Sequence, residues 1–186
     1  GNAVGNAGRI LHTTNGGSTW TVQRSVASQL LFGIHFLDDQ NGFVAGQTVA
    51  APRAAVMLST TNAGATWTNI PMGDTRGLQS LHFRDRNNGW AVGWLGEMVR
   101  TTDGGTTWTR QPSGRTDELL YCVYFNSQTS GWVVGSESGC QLINCDSLQG
   151  EQTIILHTTD GGETWGTFPS HQPSSSARRS RRQRVR

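Results

Sequence analysis

The sequence contains no lysine: all 15 basic residues among its 186 are arginines. It has two tyrosines, three cysteines and five prolines, and no apolar run approaches the roughly 18 residues of a membrane-spanning helix. Only 34% of the residues are hydrophobic and 15% charged, which excludes long amphipathic helices. The first residues, Gly1-Asn2-Ala3-Val4, include neither an initiator Met nor a signal peptide, so a processed or excised piece is expected. What the chain has in excess is glycine, 24 residues, which suits short strands joined by many turns.

The net charge of +2 hides a split. Six arginines (Arg178, Arg179, Arg181, Arg182, Arg184 and Arg186) fall in the last nine positions, leaving nine against 13 acids, so residues 1–177 carry −4. The Ser/Arg-rich segment 171–186 cannot bury enough surface to offset its ordering entropy and is expected to be disordered. With no aromatic to stack bases, nucleic acid is not an expected partner except through counterion release at those arginines. Arg178-Arg179-Ser180-Arg181-Arg182 also resembles a dibasic processing site.

Aligned against itself, the chain repeats three registers in a fixed order, which signals a repeat architecture. The strongest is Thr13-Thr14-Asn15-Gly16-Gly17-Ser18-Thr19-Trp20, copied from Thr60 to Trp67, Thr101 to Trp108 and Thr158 to Trp165, with Trp spacings of 47, 41 and 57. The later copies place Asn62 and Gly64, Asp103 and Gly105, and Asp160 and Gly162 at the positions of Asn15 and Gly17. A second register reads Asn41-Gly42-Phe43-Val44-Ala45-Gly46, Asn88-Gly89-Trp90-Ala91-Val92-Gly93 and Ser130-Gly131-Trp132-Val133-Val134-Gly135, with Ala3-Val4-Gly5 as a stub. A third precedes it at constant offset: Leu31-x-x-Ile34-His35-Phe36, Leu78-x-x-Leu81-His82-Phe83 and Leu120-x-x-Val123-Tyr124-Phe125.

Apolar runs of four to six residues that end at Gly, Asn or Asp make each unit four short strands, A to D. Strand A is the Leu-x-x-Ile-His-Phe register, B the Gly-Trp-Ala-Val-Gly register, C enters Thr-Thr-Asp, and D begins at Thr-Trp. In the C–D turn the Asn or Asp accepts backbone N–H groups, and the Gly two positions on takes positive φ at no steric cost. Four-stranded units repeating in this way fit the blades of an all-β propeller better than a sandwich.

The Thr-x-Asp-x-Gly-x-Thr-Trp box is similar to the Asp-box (BNR) motif, and its pairing with Asn-Gly-Trp-Ala-Val-Gly resembles the Ycf48/HCF136-like photosystem II assembly factors. The resemblance covers roughly residues 1–168. It implies a seven-bladed, non-catalytic propeller in the thylakoid lumen or periplasm that helps assemble photosystem II. The box also occurs in sialidases, xyloglucanases and sorting-receptor propellers. Here residues 1–170 hold units at about 1–25, 30–70, 77–112 and 119–168, the first entering at strand B. Because nothing in 166–186 matches strand A, closure within this chain is not expected. A fragment of a longer propeller, an assembly of two half-propellers and a tight four-bladed ring are the three readings.

The box residues Thr13, Asn15, Gly17, Trp20, Thr60, Asn62, Gly64, Trp67, Thr101, Asp103, Gly105, Trp108, Thr158, Asp160, Gly162 and Trp165 are expected to be structural, because each set repeats in its own blade, far from its copies. His35, His82 and Tyr124 share one strand A position and should sit side by side near the axis, though tyrosine is a poor third metal ligand; no metal or cofactor is expected. His12 and His157 share a position with Ser59 and Arg100, which reads as a tolerant surface site. Tyr121 and Tyr124 lie in a strand with core alternation, and no carboxylate pair, Ser-His-Asp order, phosphate loop or nucleotide fingerprint stands out, so no catalytic residue is assigned. Cys140 and Cys145 flank four residues; a disulfide, which fits an oxidising compartment, and free thiols are the two readings. Cys122, inside strand A, reads as a buried thiol.

In an alternating blade the D–A and B–C loops share one rim, opposite the boxes. The long B–C insertions 47–57 and 136–153 fall there with Arg9, Arg24, Arg53, Arg76 and Arg115, whose planar guanidinium groups suit carboxylates or acidic peptides. Glu97, Glu118, Asp74 and Asp117 share that rim. The expected function is a non-catalytic, extracytoplasmic scaffold that binds a protein partner. A secreted glycoside-binding or hydrolysing propeller and an extracellular structural subunit are the alternatives, and a homo-oligomer or a longer chain would complete the ring.

Overall fold

The computed structural model describes residues 1–116, 118–137 and 153–167. Asp117, Cys140, Cys145 and the arginine tail lie outside the described residues, as does the insertion from 138 to 152. Fifteen strands form four antiparallel sheets, each in chain order. The first holds β1 (Asn2–Val4), β2 (Ile10–His12) and β3 (Thr21–Arg24); the second β4 (Gln29–Phe36), β5 (Gly42–Thr48), β6 (Ala55–Thr60) and β7 (Thr68–Ile70). The third holds β8 (Leu78–Phe83), β9 (Gly89–Gly93), β10 (Met98–Thr101) and β11 (Thr109–Arg110); the fourth β12 (Glu118–Phe125), β13 (Gly131–Glu137), β14 (Thr153–Thr158) and β15 (Gly166–Thr167). β4 packs beside β8 and β8 beside β12, so strand A is innermost in successive blades of a β-propeller.

Each strand A carries a β-bulge at one repeat position, Leu31/Gly33, Leu78/Ser80 and Leu120/Cys122. The extra residue puts Leu31 and Ile34, three apart, on one face, which explains why the register reads Leu-x-x-Ile instead of alternating. The core is divided among the blade junctions. Ile10, Leu31, Val44, Val56 and Leu58 fill the first; Phe43, Met57, Leu78, Leu81, Phe83 and Val99 the second; Trp90, Val92, Met98, Leu120, Val123 and Leu156 the third.

Two of the sequence registers meet at these junctions. The B-strand aromatic of one blade lies on the second box glycine of the next: Phe43 against Gly105 and Trp90 against Gly162, where any Cβ would collide with the ring. Both glycines have positive φ, +84° and +83°, so Gly is required on two counts.

Every box closes on itself. Thr101 Oγ1 donates to Asp103 Oδ1 (2.8 Å) and accepts from the N–H of Gly105 (2.8 Å), while Thr107 donates through N–H and Oγ1 to the Asp103 carboxylate (2.9 and 2.6 Å). Asp160 repeats this with Thr158 and Thr164; in the neutral boxes Asn15 and Asn62 Oδ1 accept from the N–H of Thr19 and Thr66, and their Nδ2 groups donate to the Thr19 and Thr66 hydroxyls. The Trp108 indole donates to the Gly105 carbonyl at 3.2 Å. Backbone bonds from Ala63 to Gln40, Gly104 to Asn87 and Gly161 to Thr129 join the boxes to the A–B turns on one rim. On the other rim, Ala55 bonds to Thr75 and Gly77 to Arg53.

Three expectations are corrected. Cys122 is exposed, and Tyr121 and Tyr124 are about half exposed, not core. The bulge turns Leu120, Val123 and Phe125 toward the third blade, leaving Cys122 and Tyr124 on the far face of the last sheet; the Tyr121 hydroxyl meets Ser136 Oγ at 2.9 Å. The position of His12 and His157 is not a loose surface site. His12 Nδ1 bonds with Asn2 Oδ1 at 2.9 Å, His157 stacks on Trp132 at 4.7 Å, and Arg100 lies 5.2 Å over the Trp90 ring while pairing with Glu163 across a junction.

Candidate functional site

On the rim of the B–C and D–A loops, across the third blade, lies a groove of about 660 Å³ bordered by Asp74, Arg76, Glu97, Arg110, Ser113 and Arg115. Its floor is a tight turn after β9. Gly96 has φ +66°, and a Cβ there would collide with the Arg115 carbonyl, so the β11–β12 connection can lie flat on the turn. Ser113 Oγ pins it, donating to the Gly96 carbonyl at 2.7 Å and accepting from Arg115 N–H at 3.2 Å.

Two buried carboxylates organise the charge. Glu97 accepts from Arg110 Nε (2.7 Å) and Nη2 (2.9 Å) and from the backbone N–H of Arg76 (3.0 Å). The bidentate pair raises the Arg110 pKa above its ordinary value, first through the hydrogen bond to Glu97. Glu118 accepts from Arg115 Nη1 at 2.8 Å. The carboxylates face inward, with side chains 5% and 7% exposed, whereas Arg110 is 58% and Arg115 29% exposed. In the groove the Glu97 carboxylate therefore lies beneath the exposed Arg110 guanidinium, while the exposed Asp74 and Arg76 share its border.

The five arginines expected on this rim do not form one cluster. Arg76 and Arg115 border the groove. Arg53 lies 5.0 Å over the Trp94 ring, and Arg24 is held by Gln29 Oε1 (2.8 Å) and the Gly8 carbonyl (3.3 Å) near the first two blades. Arg9 is exposed beside the turn after β1. Sequence reasoning missed Arg110, which sits where the other units have Val22, Asn69 and Thr167, and the departure from that pattern is the available signal.

Along the axis, His35 and His82 lie 5.4 Å apart and His82 and Tyr124 5.0 Å apart, as the repeat predicts. Burial lowers both histidine pKa values, and the charge of His35 adds to the effect at His82. Among the described residues no three His, Cys, Asp or Glu side chains converge on a metal position.

The family model described as "Photosynthesis system II assembly factor YCF48" matches residues 71–144, which contain the whole groove. YCF48 from Cyanidioschyzon merolae superposes with TM-score 0.62 at 15% identity over 90% of this chain and 52% of that one. This chain is a β-propeller, and its segment 71–144 is similar to that assembly-factor family. It spans about half the length of that relative. The chain is also similar to a YCF48 bound to D1 peptide (TM-score 0.49, 16% identity, 89% of this chain and 76% of that one). The GH74 enzyme of Niastella koreensis shares the fold at TM-score 0.51 and 15% identity over 86% of this chain and 34% of the enzyme. No curated protein matches the chain.

Proposed function

We propose that the chain is a non-catalytic scaffold, working outside the cytoplasm, that docks an acidic segment of a protein partner on the rim around the Glu97–Arg110 groove. The observation that carries this reading is the exposure of the Arg76 and Arg110 guanidinium groups along the groove, with the Glu97 carboxylate buried beneath Arg110 and Asp74 the exposed acid beside them. Planar guanidinium forks suit bidentate binding of carboxylates on a peptide. The match of the groove-bearing segment to an assembly-factor family supports a role in bringing proteins together. Glu97 and Glu118 are each engaged by an arginine, which suits a structural use of those carboxylates better than acid–base chemistry.

The test is fluorescence anisotropy with Asp/Glu-rich peptides, beside affinity capture from an extract. Arg76→Glu together with Arg115→Glu should weaken acidic-peptide binding at least about tenfold, roughly 1.4 kcal/mol. Near-UV circular dichroism checks the fold of the variant. Unchanged binding by a folded variant would remove the proposal, and turnover of model glycosides would replace it with the hydrolase reading.

A further inference from the structure

The turn between β9 and β10 forms the floor of the groove and holds an unfavourable residue. The N–H of Glu97 donates to the Trp94 carbonyl at 3.0 Å, and both central residues take positive φ, Leu95 at +56° and Gly96 at +66°. Asn-Gly is the favoured pair for a two-residue hairpin turn of this kind, because both residues tolerate the left-handed region. Three non-glycine residues adopt positive φ among the described residues, Ala7, Ala63 and Leu95, and only Leu95 extends beyond Cβ. The left-handed region sets Cβ against the following carbonyl oxygen, so leucine destabilises this turn relative to glycine or asparagine. The core does not need it either. Leu95 is 39% exposed, stands outside the three junction clusters and lines the groove beside Arg76 and Arg110. An exposed apolar side chain on a strained backbone points to a contact made with something outside the fold.

Three loops meet at this turn and set the character of that contact. The N–H of Gly77 donates to the Arg53 carbonyl and the Gly77 carbonyl accepts from the N–H of Trp94, each at 2.9 Å, while the N–H of Arg76 donates to Glu97 at 3.0 Å. These bonds hold Arg53 and Arg76 beside Trp94 and Leu95, and the Arg53 guanidinium lies 5.0 Å over the Trp94 ring. Both arginines are exposed, and neither guanidinium pairs with a carboxylate among the described residues. Asp74 is the exposed acid on the same border, and Glu97 is already held by Arg110. An anionic segment therefore finds two unmatched cations next to an apolar turn.

We infer that Leu95 is the apolar anchor of the docking rim. The partner segment carries a bulky apolar residue flanked by acidic ones; the apolar side chain sits on Leu95 and the carboxylates meet Arg53 and Arg76. The inference rests on the acidic-segment reading given above and adds the residue that makes the segment selective. A few desolvated contacts carry most of the binding energy at such interfaces, while exposed ion pairs contribute little, so discrimination among acidic segments falls to Leu95.

The test is fluorescence anisotropy with two labelled peptides, Gly-Glu-Asp-Phe-Asp-Glu-Gly and Gly-Glu-Asp-Ser-Asp-Glu-Gly, titrated with the whole 186-residue chain. The Phe peptide should bind at least about fivefold more tightly than the Ser peptide. Leu95→Asn should bring the two within about twofold, while Arg53→Gln and Arg76→Gln weaken both peptides and leave their ratio unchanged. The Leu95→Asn chain should also unfold at a higher urea concentration than the parent, because asparagine relieves the backbone strain. Leu95→Ala should lose the Phe preference without that rise. A preference that survives Leu95→Asn, or a urea midpoint that falls in that variant, overturns the inference. Equal binding of the two peptides by the parent chain overturns it too and leaves the acidic-segment reading standing, whereas no saturation by either peptide at about 1 mM overturns both.

Discussion

Replacing Thr101 by valine keeps the shape of a side chain that is 1% exposed and removes only its hydroxyl. That hydroxyl donates to Asp103 and accepts from the buried N–H of Gly105, each at 2.8 Å. Hydrogen bonds to charged groups contribute about 1.5–3 kcal/mol, and a buried donor left without an acceptor costs about 1–3 kcal/mol. The exposed Asp103 carboxylate recovers water in the variant, which cuts the first contribution to about 1 kcal/mol, so the expected loss is about 2–4 kcal/mol. Thr60→Val removes the same geometry from a box whose acceptor is the neutral Asn62 amide, and should lose only about 1–2 kcal/mol. For a chain of this length the larger loss lowers Tm by about 4–16 °C. Calorimetry and urea unfolding of both variants measure it. A Thr101→Val loss below about 0.5 kcal/mol, or a Thr60→Val loss at least as large as that of Thr101→Val, refutes the box as a charge-assisted, self-closing turn.

The Thr107 hydroxyl, and after it the Thr107 N–H and Thr101 hydroxyl, holds the Asp103 pKa at about 2 against an ordinary 3.8; Asp160 is lowered the same way by Thr164 and Thr158. The unfolded chain therefore takes up protons before the folded one, so stability should be full above about pH 4 and fall as pH drops toward about 2; urea midpoints across that range should flatten in Asp103→Asn. Asp103→Ala should lower Tm with little effect on partner affinity, and the opposite pattern in a binding assay would contradict a structural box. His35 and His82, both lowered from 6.5 by burial, add a milder decline as pH falls below that value, which His82→Gln should reduce in the same titration. Trp90→Ala should cost about 3–5 kcal/mol in urea unfolding, and Trp132→Ala, at the same repeat position with no blade following it among the described residues, clearly less; equal losses would contradict the division of the core among blade junctions.

The repeat made the blades, the innermost strand, the axial His35–His82–Tyr124 line and both rims legible, because each depends on spacing within one unit. What was not legible depends on neighbours. Tyr124, Cys122 and Val134 look like core residues by strand alternation, yet alternation states only which face a residue takes. Whether that face is covered depends on the next blade, and none follows β12–β15 among the described residues. The strand A bulge escaped notice for a related reason: the Leu-x-x-Ile spacing was visible as a pattern, but only the pairing with strand B shows the added residue. Arg110, on β11, and Glu97, just before β10, lie 13 positions apart in one blade, and only the β10–β11 pairing shows that they meet.

The co-occurrence of the two glycine-rich registers has one structural cause, and it bears on where a partner can act. A box turn needs its second glycine for positive φ, and that bare backbone is also the seat for the previous blade's aromatic, as with Phe43 on Gly105 and Trp90 on Gly162. The box hydroxyls, the Asx side chains and the Trp108 indole are bonded within their own turns, and the A–B turns are tied to them through the backbone. That rim has committed its polar groups to holding the ring of blades together. The opposite rim carries the lengthened loops, the groove and the outward guanidinium groups, and there a side chain can change without uncoupling two blades. Selection for a partner can act on Arg76 or Arg53, whereas a change at Gly105 or Gly162 must answer first to the fold.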